Sequence, residues 1–171
     1  PDQMKLSKGK DLLMRIGMNT GQVVVGNMGS ENHKNYTFFG DAGNLAARLE
    51  GVNKQFGTYS MISEYTLAEA RDKGFKAWAR ELARVEVVGK SEPVTVYEPM
   101  TKAAWDAGAD IWPAFEAALT QFYQGQLAEA RSGFAALADR DPASAKYVAK
   151  IDSMDGELPA GWNGVWVMTS K

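Results

Sequence analysis

The apolar residues of this chain change their spacing near residue 100. Before that point, short runs rich in Val, Ile and Tyr alternate with turns that contain glycine. After it, apolar residues recur at intervals of three and four. The first pattern is typical of strands mixed with helices, and the second is typical of a helical segment. We therefore predict an α+β unit over residues 1–100 and a helical extension over 101–171.

Two apolar runs near the start, Leu12–Met18 and Gln22–Met28, flank the turn sequence Asn19-Thr20-Gly21. This arrangement predicts a β-hairpin, and continuous apolarity predicts that both faces of its strands are covered. A polar loop over residues 30–35 and a short strand from Tyr36 to Phe39 should follow.

A helix is expected to start at Asp41, which can cap its first turn, and to end near Phe56, where Gly57 stops it. Its apolar residues recur at helical spacing and should form its buried face. Further elements are predicted beyond it: a strand Tyr59–Ser63, a helix Glu64–Lys73, and a hairpin of Ala83–Val88 with Val94–Tyr97.

The extension carries two apolar stripes at helical spacing, separated by Gly125 and followed by Pro142. They are Phe115, Leu119 and Phe122, then Leu127, Ala130, Phe134 and Leu137. The pair resembles one tetratricopeptide-type hairpin. Because a single unit of that type needs neighbours to cover its apolar faces, we expect it to pack on the α+β unit rather than to bind a peptide.

Composition excludes several classes of protein. A net charge of −2 gives no broad electrostatic surface for nucleic acid. The chain has no cysteine, so it has no disulfide framework, thiol nucleophile or thiolate zinc site. Its single histidine, His33, excludes multi-histidine metal sites and disfavours a histidine-based triad.

One helix face carries the strongest chemical signal. Asn44 and Arg48 are four residues apart and should share a face close to the helix N-terminus. An amide, a guanidinium and free backbone N–H groups together suit a phosphate. The alternative is a solvated arginine paired with Glu50 or Asp41, which would contribute little.

The amino-acid sequence around these residues resembles that of the class III nucleotidyl cyclase catalytic domain. The matching segments are Arg15-Ile-Gly-Met-Asn-Thr-Gly-Gln-Val-Val-Val-Gly-Asn-Met-Gly, then Tyr36-Thr-Phe-Phe-Gly-Asp-Ala-Gly-Asn-Leu-Ala-Ala-Arg-Leu-Glu50, then Gly89-Lys-Ser-Glu-Pro-Val94. They lie in the family's order over about residues 12–100. The resemblance implies a ferredoxin-like α+β domain, truncated on its N-terminal side, before the helical extension.

The resemblance also implies roles for single residues. Asn44 matches the asparagine that positions the ribose, and Arg48 matches the arginine that stabilises charge on the α-phosphate. Thr37 matches the position that contacts the purine, where threonine favours ATP over GTP. Related sequences usually carry a phosphate-binding lysine at the position of Val88, and Lys90 is the candidate to replace it.

The implied activity is an adenylate cyclase that converts ATP to 3′,5′-cyclic AMP and pyrophosphate. In that family a homodimer forms composite sites, and two Mg²⁺ or Mn²⁺ ions are bound by aspartates expected upstream of Pro1. The 171-residue chain alone should therefore be inactive. The alternatives are a guanylate cyclase and a cyclase-like regulatory or nucleotide-binding domain without turnover.

The tail Gly161–Trp166 resembles that of bacterial cyclases with an upstream membrane-anchored sensor. That resemblance implies a cytoplasmic domain whose full-length protein is anchored in the inner membrane. No apolar run in this chain approaches the roughly 20 residues of a membrane-spanning helix.

Overall fold

The computed structural model describes residues 5–6, 10–11, 13–30, 33–87 and 92–168. The strands are β1 (Lys5–Leu6), β2 (Lys10–Asp11), β3 (Ile16–Met18), β4 (Val24–Ser30), β5 (His33–Phe39), β6 (Ser60–Ser63), β7 (Trp78–Glu86), β8 (Val94–Met100) and β9 (Val165–Val167). The helices are α1 (Asp41–Phe56), α2 (Glu64–Asp72), α3 (Lys102–Ala107), α4 (Ile111–Tyr123), α5 (Leu127–Ala135) and α6 (Pro142–Asp152).

A five-stranded mixed sheet organises the molecule in the order β3-β6-β8-β7-β9. The pairs β6–β8 and β7–β8 are antiparallel, whereas β3–β6 and β7–β9 are parallel. The predicted hairpin near residues 83–97 is confirmed as β7–β8, which is longer at its open end than the sequence indicated. Separate two-stranded ribbons are formed by β1–β2 and by β4–β5.

The predicted hairpin around Asn19–Gly21 is wrong. Strand β3 pairs with β6, and β4 pairs with β5 from Val24↔Phe39 to Ser30↔His33. The cause is the close approach of β3 to α1, since a Cβ at Gly17 would lie 2.3 Å from the Ala46 carbonyl oxygen. Packing against α1 directs β3 to the strand beside that helix instead of to the next strand in sequence.

The expectation that both faces of the second run are covered is also wrong. The β4–β5 ribbon is a sheet of its own, and its side chains at Val24 and Tyr36 are 70% and 75% exposed. The predicted polar loop over residues 30–35 is shorter, because β4 extends to Ser30 and β5 begins at His33. Alternation or continuity of apolar residues does not reveal whether a second layer is present.

The predicted bounds of α1 are confirmed. Gly57 ends the helix in the left-handed conformation at φ 70° and donates its N–H to the Asn53 carbonyl. At the other end Gly40, rather than Asp41, occupies the cap position. Leu45 and Leu49 are buried on the inner face, as the periodicity predicted.

The helical extension packs on the α+β unit, as expected. Its stripes are buried, and their aromatic rings surround Tyr147 of α6, which is fully buried. The Tyr147 hydroxyl donates to the Leu82 carbonyl of β7 at 2.8 Å. One hydrophobic core therefore includes residues from both segments. A boundary near residue 100 and the tetratricopeptide likeness stay predictions.

Strand β9 was not predicted. The chain returns after α6 and adds β9 to the edge of the sheet, with Trp166 beside Val85. The Trp166 ring lies 4.8 Å from the ring of Phe56, the last residue of α1. The tail thus pairs with the sheet and packs against both the extension and the end of α1. In the part of the chain that the structure describes, no helix has both the length and the apolarity to cross a bilayer.

Candidate nucleotide-binding site

Asn44 and Arg48 lie one turn apart on the outer face of α1, as the sequence predicted. The inner face of the helix is held by hydrophobic burial and by Asn53. The Asn53 amide donates at 3.0 Å to the carbonyls of Ile16 and Leu49, and thereby ties α1 to β3. This fixed inner face determines the direction in which Asn44 and Arg48 project.

Both residues line a cleft of about 580 Å³ between α1, the start of β3 and the C-terminal tail. Arg15 and Lys54 line the same cleft, and Val87 and Met168 supply apolar wall. Met168 is held there because its backbone N–H donates to the Glu86 carbonyl at 2.9 Å. The cleft is therefore built from segments distant in sequence.

The guanidinium of Arg48 is incompletely bonded. Its Nη1 atom is buried and has no hydrogen-bond partner among the described residues. The alternative interpretation paired this arginine with Glu50 or Asp41, and no ion pair joins Arg48 to Glu50 in the described part of the chain. A buried donor without a partner costs free energy, which a bound anion would recover.

The charges lining the cleft favour a polyanion. Arg15, Arg48 and Lys54 supply three positive charges, against the one carboxylate of Glu50. Within the described ranges, none of the three cations forms a hydrogen bond or an ion pair with another side chain. A concave surface on which cations outnumber carboxylates attracts phosphate groups.

The other predicted site residues are not brought to this cleft. Thr37 is half-buried on β5, opposite Gly26 of β4, and is not among the residues that line the cleft. Lys90 and the neighbouring Val88 lie outside the described residues. His33 is exposed at the start of β5.

Sequence reasoning missed Arg15, Lys54 and Met168 as lining residues. Lys54 had only a weak signal, because at 3.6 residues per turn it is rotated by about 80° from Asn44 around the axis of α1. Arg15 and Met168 reach the cleft only through β3 and β9, whose pairings the sequence did not indicate.

The described residues supply no metal site beside the cleft. Within the described residues, no group of three or more His, Cys, Asp or Glu side chains is placed to hold a metal ion. These residues therefore do not fit a bound divalent metal.

A second cleft of about 540 Å³ lies between β7 and α4. Its polar groups are bonded to one another: the Tyr123 hydroxyl donates to Glu81 at 2.8 Å, and Arg84 lies 4.3 Å from the Tyr123 ring. Burial, with the nearby Tyr147 and Glu81, raises the pKa of Tyr123, so its hydroxyl stays a donor. These bonds leave the α1 cleft as the better candidate site.

The sequence model of the adenylate and guanylate cyclase catalytic domain matches residues 2–98. The chain belongs to this cyclase family. The fold prediction, an α+β cyclase domain followed by a helical extension, is confirmed. Members of the family generally use a divalent metal, bind a nucleotide and dimerise.

Three curated relatives illustrate the range of this cyclase domain. The chain is 37% identical over 84 residues to adenylate cyclase 1 of Rhizobium meliloti, covering 49% of this chain and 12% of the relative. It is 33% identical over 101 residues to an adenylate cyclase of Anabaena cylindrica, covering 57% of this chain and 20% of the relative. It is also 33% identical over 87 residues to soluble guanylate cyclase 89Da of Drosophila melanogaster, covering 51% of this chain and 12% of the relative.

Among solved structures, the adenylyl cyclase CyaB from P. aeruginosa matches with a TM-score of 0.46 and 31% identity, over 54% of this chain and 45% of that one. The matched part of this chain spans at most a fifth of the length of each of the three curated relatives.

Proposed function

We propose that this chain is part of an adenylate cyclase and binds the ribose and phosphates of ATP. The observation that carries the proposal is the shared cleft of Asn44 and Arg48, in which a buried guanidinium nitrogen has no partner among the described residues. A family of cyclases whose members include adenylate cyclases supplies the reaction class.

The reaction is an in-line displacement at phosphorus. The ribose 3′-oxygen forms a bond to the α-phosphorus, its proton leaves, and the bond between the α-phosphorus and the bridging oxygen breaks to release pyrophosphate. Asn44 orients the ribose through its amide, and Arg48 stabilises the charge that grows on the α-phosphate. Such a transfer needs no covalent nucleophile. Ligands for divalent metal ions would come from residues other than those described.

The choice of base rests on Thr37. Its hydroxyl both donates and accepts, so it can bond an adenine edge without burying a charge. A guanylate cyclase is the second candidate, because a guanylate cyclase is among the similar proteins. A cyclase-like domain without turnover is the third, since the usual phosphate-binding lysine is replaced by Val88. Lys90 keeps its proposed role as the substitute.

The site is proposed to be completed in a homodimer. The exposed hydrophobic side chains of the β4–β5 ribbon form an apolar surface that a second copy of the chain can cover. Two-fold pairing would give two equivalent sites, each with residues from both copies.

Substitution of Arg48 tests the proposal. In a protein that includes the sequence before Pro1, Arg48→Ala should lower kcat with ATP by about 10²–10³-fold, because a preorganised charge-stabilising donor is lost. KM should change much less, and Arg48→Lys should restore little because lysine lacks the planar fork. Steady-state kinetics with ATP and with GTP measures both the effect and the substrate preference.

The matched control is Arg71→Ala, which removes an exposed helical arginine outside the cleft. Its kcat should equal that of the unsubstituted protein. A normal kcat for Arg48→Ala, with a changed thermal melt, would assign Arg48 to the surface and reject the proposed site.

A further inference from the structure

Lys54 extends the polar face of α1 beyond the pair already assigned. Asn44, Arg48, Gly51 and Lys54 all line the cleft. At 3.6 residues per turn, Gly51 lies between Arg48 and Lys54 and is rotated by about 60° from each around the helix axis. At the rise of an α-helix, Lys54 lies about 9 Å beyond Arg48 along the axis. A Cβ at Gly51 would meet no atom within 4 Å, so the helix surface between the two cations is open.

The ammonium group of Lys54 is free to bind a ligand. Glu50 lies one turn before it, and a Glu–Lys pair at this spacing commonly forms an ion pair. No such pair joins them in the described structure, although both residues line the cleft. Lys54 is exposed and keeps its donors available.

We propose that Lys54 binds the terminal phosphates of the triphosphate and the pyrophosphate that leaves. This inference rests on the proposed function, because it takes Arg48 as the partner of the α-phosphate. With that phosphate at Arg48, the rest of the polyphosphate chain lies over the open surface at Gly51 and reaches Lys54. A point charge with three donors suits a terminal phosphate, whose oxygens can be approached from several directions.

A structural role for Lys54 makes a different prediction. A lysine in the last turn of a helix interacts favourably with the negative end of the helix dipole. If that were its whole role, replacing it would lower the melting temperature slightly and leave anion binding unchanged. Binding and melting measurements on the same variants therefore distinguish the two roles.

The test is calorimetric titration of the 171-residue chain with inorganic tripolyphosphate, which has no base or ribose. Lys54→Gln should weaken binding about 10-fold, the scale of one hydrogen bond to a charged group. Lys54→Arg should keep most of the affinity. The matched control is Lys146→Gln, which makes the same charge change on an exposed helical lysine outside the cleft and should bind normally.

Equal affinity of the Lys54→Gln variant and the unsubstituted chain would overturn the inference, as would absence of tripolyphosphate binding by the unsubstituted chain. Failure of the proposed function gives a separate result. If Lys54→Gln weakens tripolyphosphate binding but the longer protein makes no cyclic nucleotide, Lys54 remains a polyphosphate-binding residue and the assigned activity is wrong.

Discussion

Aromatic side chains are buried in the hydrophobic core under the helical extension, whereas those of the β4–β5 ribbon are exposed. Phe122 and Tyr147 are completely buried, whereas Tyr36 and Phe38 are 75% and 56% exposed. In the core, the hydrophobic side chains are buried against other residues of the same chain. The ribbon presents a surface of the kind that marks an interaction site. Stability is therefore concentrated in the core, and the ribbon is available for association.

Two arginines show the same difference in their polar contacts. Arg80 of β7 donates to Glu98 at 2.8 Å and to Asp141 at 2.7 Å, and its guanidinium lies 4.6 Å from the Trp112 ring. Both arginines have a buried Nη1 atom without a hydrogen-bond partner among the described residues, but Arg48 has no such carboxylate partner there. A guanidinium neutralised by its own fold supports structure, and one left without a counter-charge is available to a ligand.

Tyr147→Ala is expected to have the largest effect on stability. It removes a buried ring that stacks on Phe134 at 4.4 Å and contacts four other aromatic rings, so unfolding should become easier by about 3–5 kcal/mol. Urea unfolding measures the change. The control Tyr147→Phe keeps the ring and loses only the bond to Leu82, and should cost about 1–3 kcal/mol. A loss below that of the phenylalanine variant would contradict a shared core.

Asp141→Ala should destabilise the chain nearly as much. Asp141 bonds Arg80 and also caps α6 by accepting from the Ser144 N–H at 3.0 Å, and it is 3% exposed. Its loss leaves Arg80 with a single carboxylate partner and should cost about 3–5 kcal/mol. Asp141→Asn retains an acceptor for the cap and should cost less. Equal stability of both variants and the unsubstituted chain would show that the ion pair is not needed.

The contribution of Asp141 depends on pH. Burial alone would raise the pKa of its carboxyl, but the hydrogen bond and charge of Arg80 and the bonds from Ser144 outweigh burial and lower the pKa below 3.8. Its stabilisation is therefore complete above about pH 4 and is lost as the pH falls through the lowered folded-state value. Glu98 opposes this trend, because burial raises its pKa despite Arg80. The difference between Asp141→Asn and the unsubstituted chain should shrink as the pH falls from about 4 through the lowered folded-state pKa of Asp141.

Substitution of the ribbon should have the smallest effect on stability. Val24→Thr with Tyr36→Thr places strand-forming threonine at two exposed strand positions, so unfolding should change by no more than about 0.5 kcal/mol. Self-association, measured by sedimentation, should weaken because apolar contact area is lost. Unchanged association together with unchanged stability would remove the ribbon from the proposed dimer interface.

Local patterns were sufficient for several elements. The bounds of α1, the strand before α2 and the stripes of α4 and α5 follow from helical spacing, from glycine as a stop signal and from runs of strand-forming residues. The same spacing put Asn44 and Arg48 on one helix face, because a helix fixes the direction of side chains four residues apart. Their roles toward ATP stay predictions.

Pairings between distant segments were not available from those patterns. The association of β3 with β6 depends on how closely Gly17 can approach α1, and β9 depends on α6 returning the chain to the edge of β7. The sequence alone determined the bounds of α1 and which face of that helix carries the polar pair. Only the tertiary structure decided that Arg15, Lys54 and Met168 line the same cleft, because strand partners are selected by packing across the whole core.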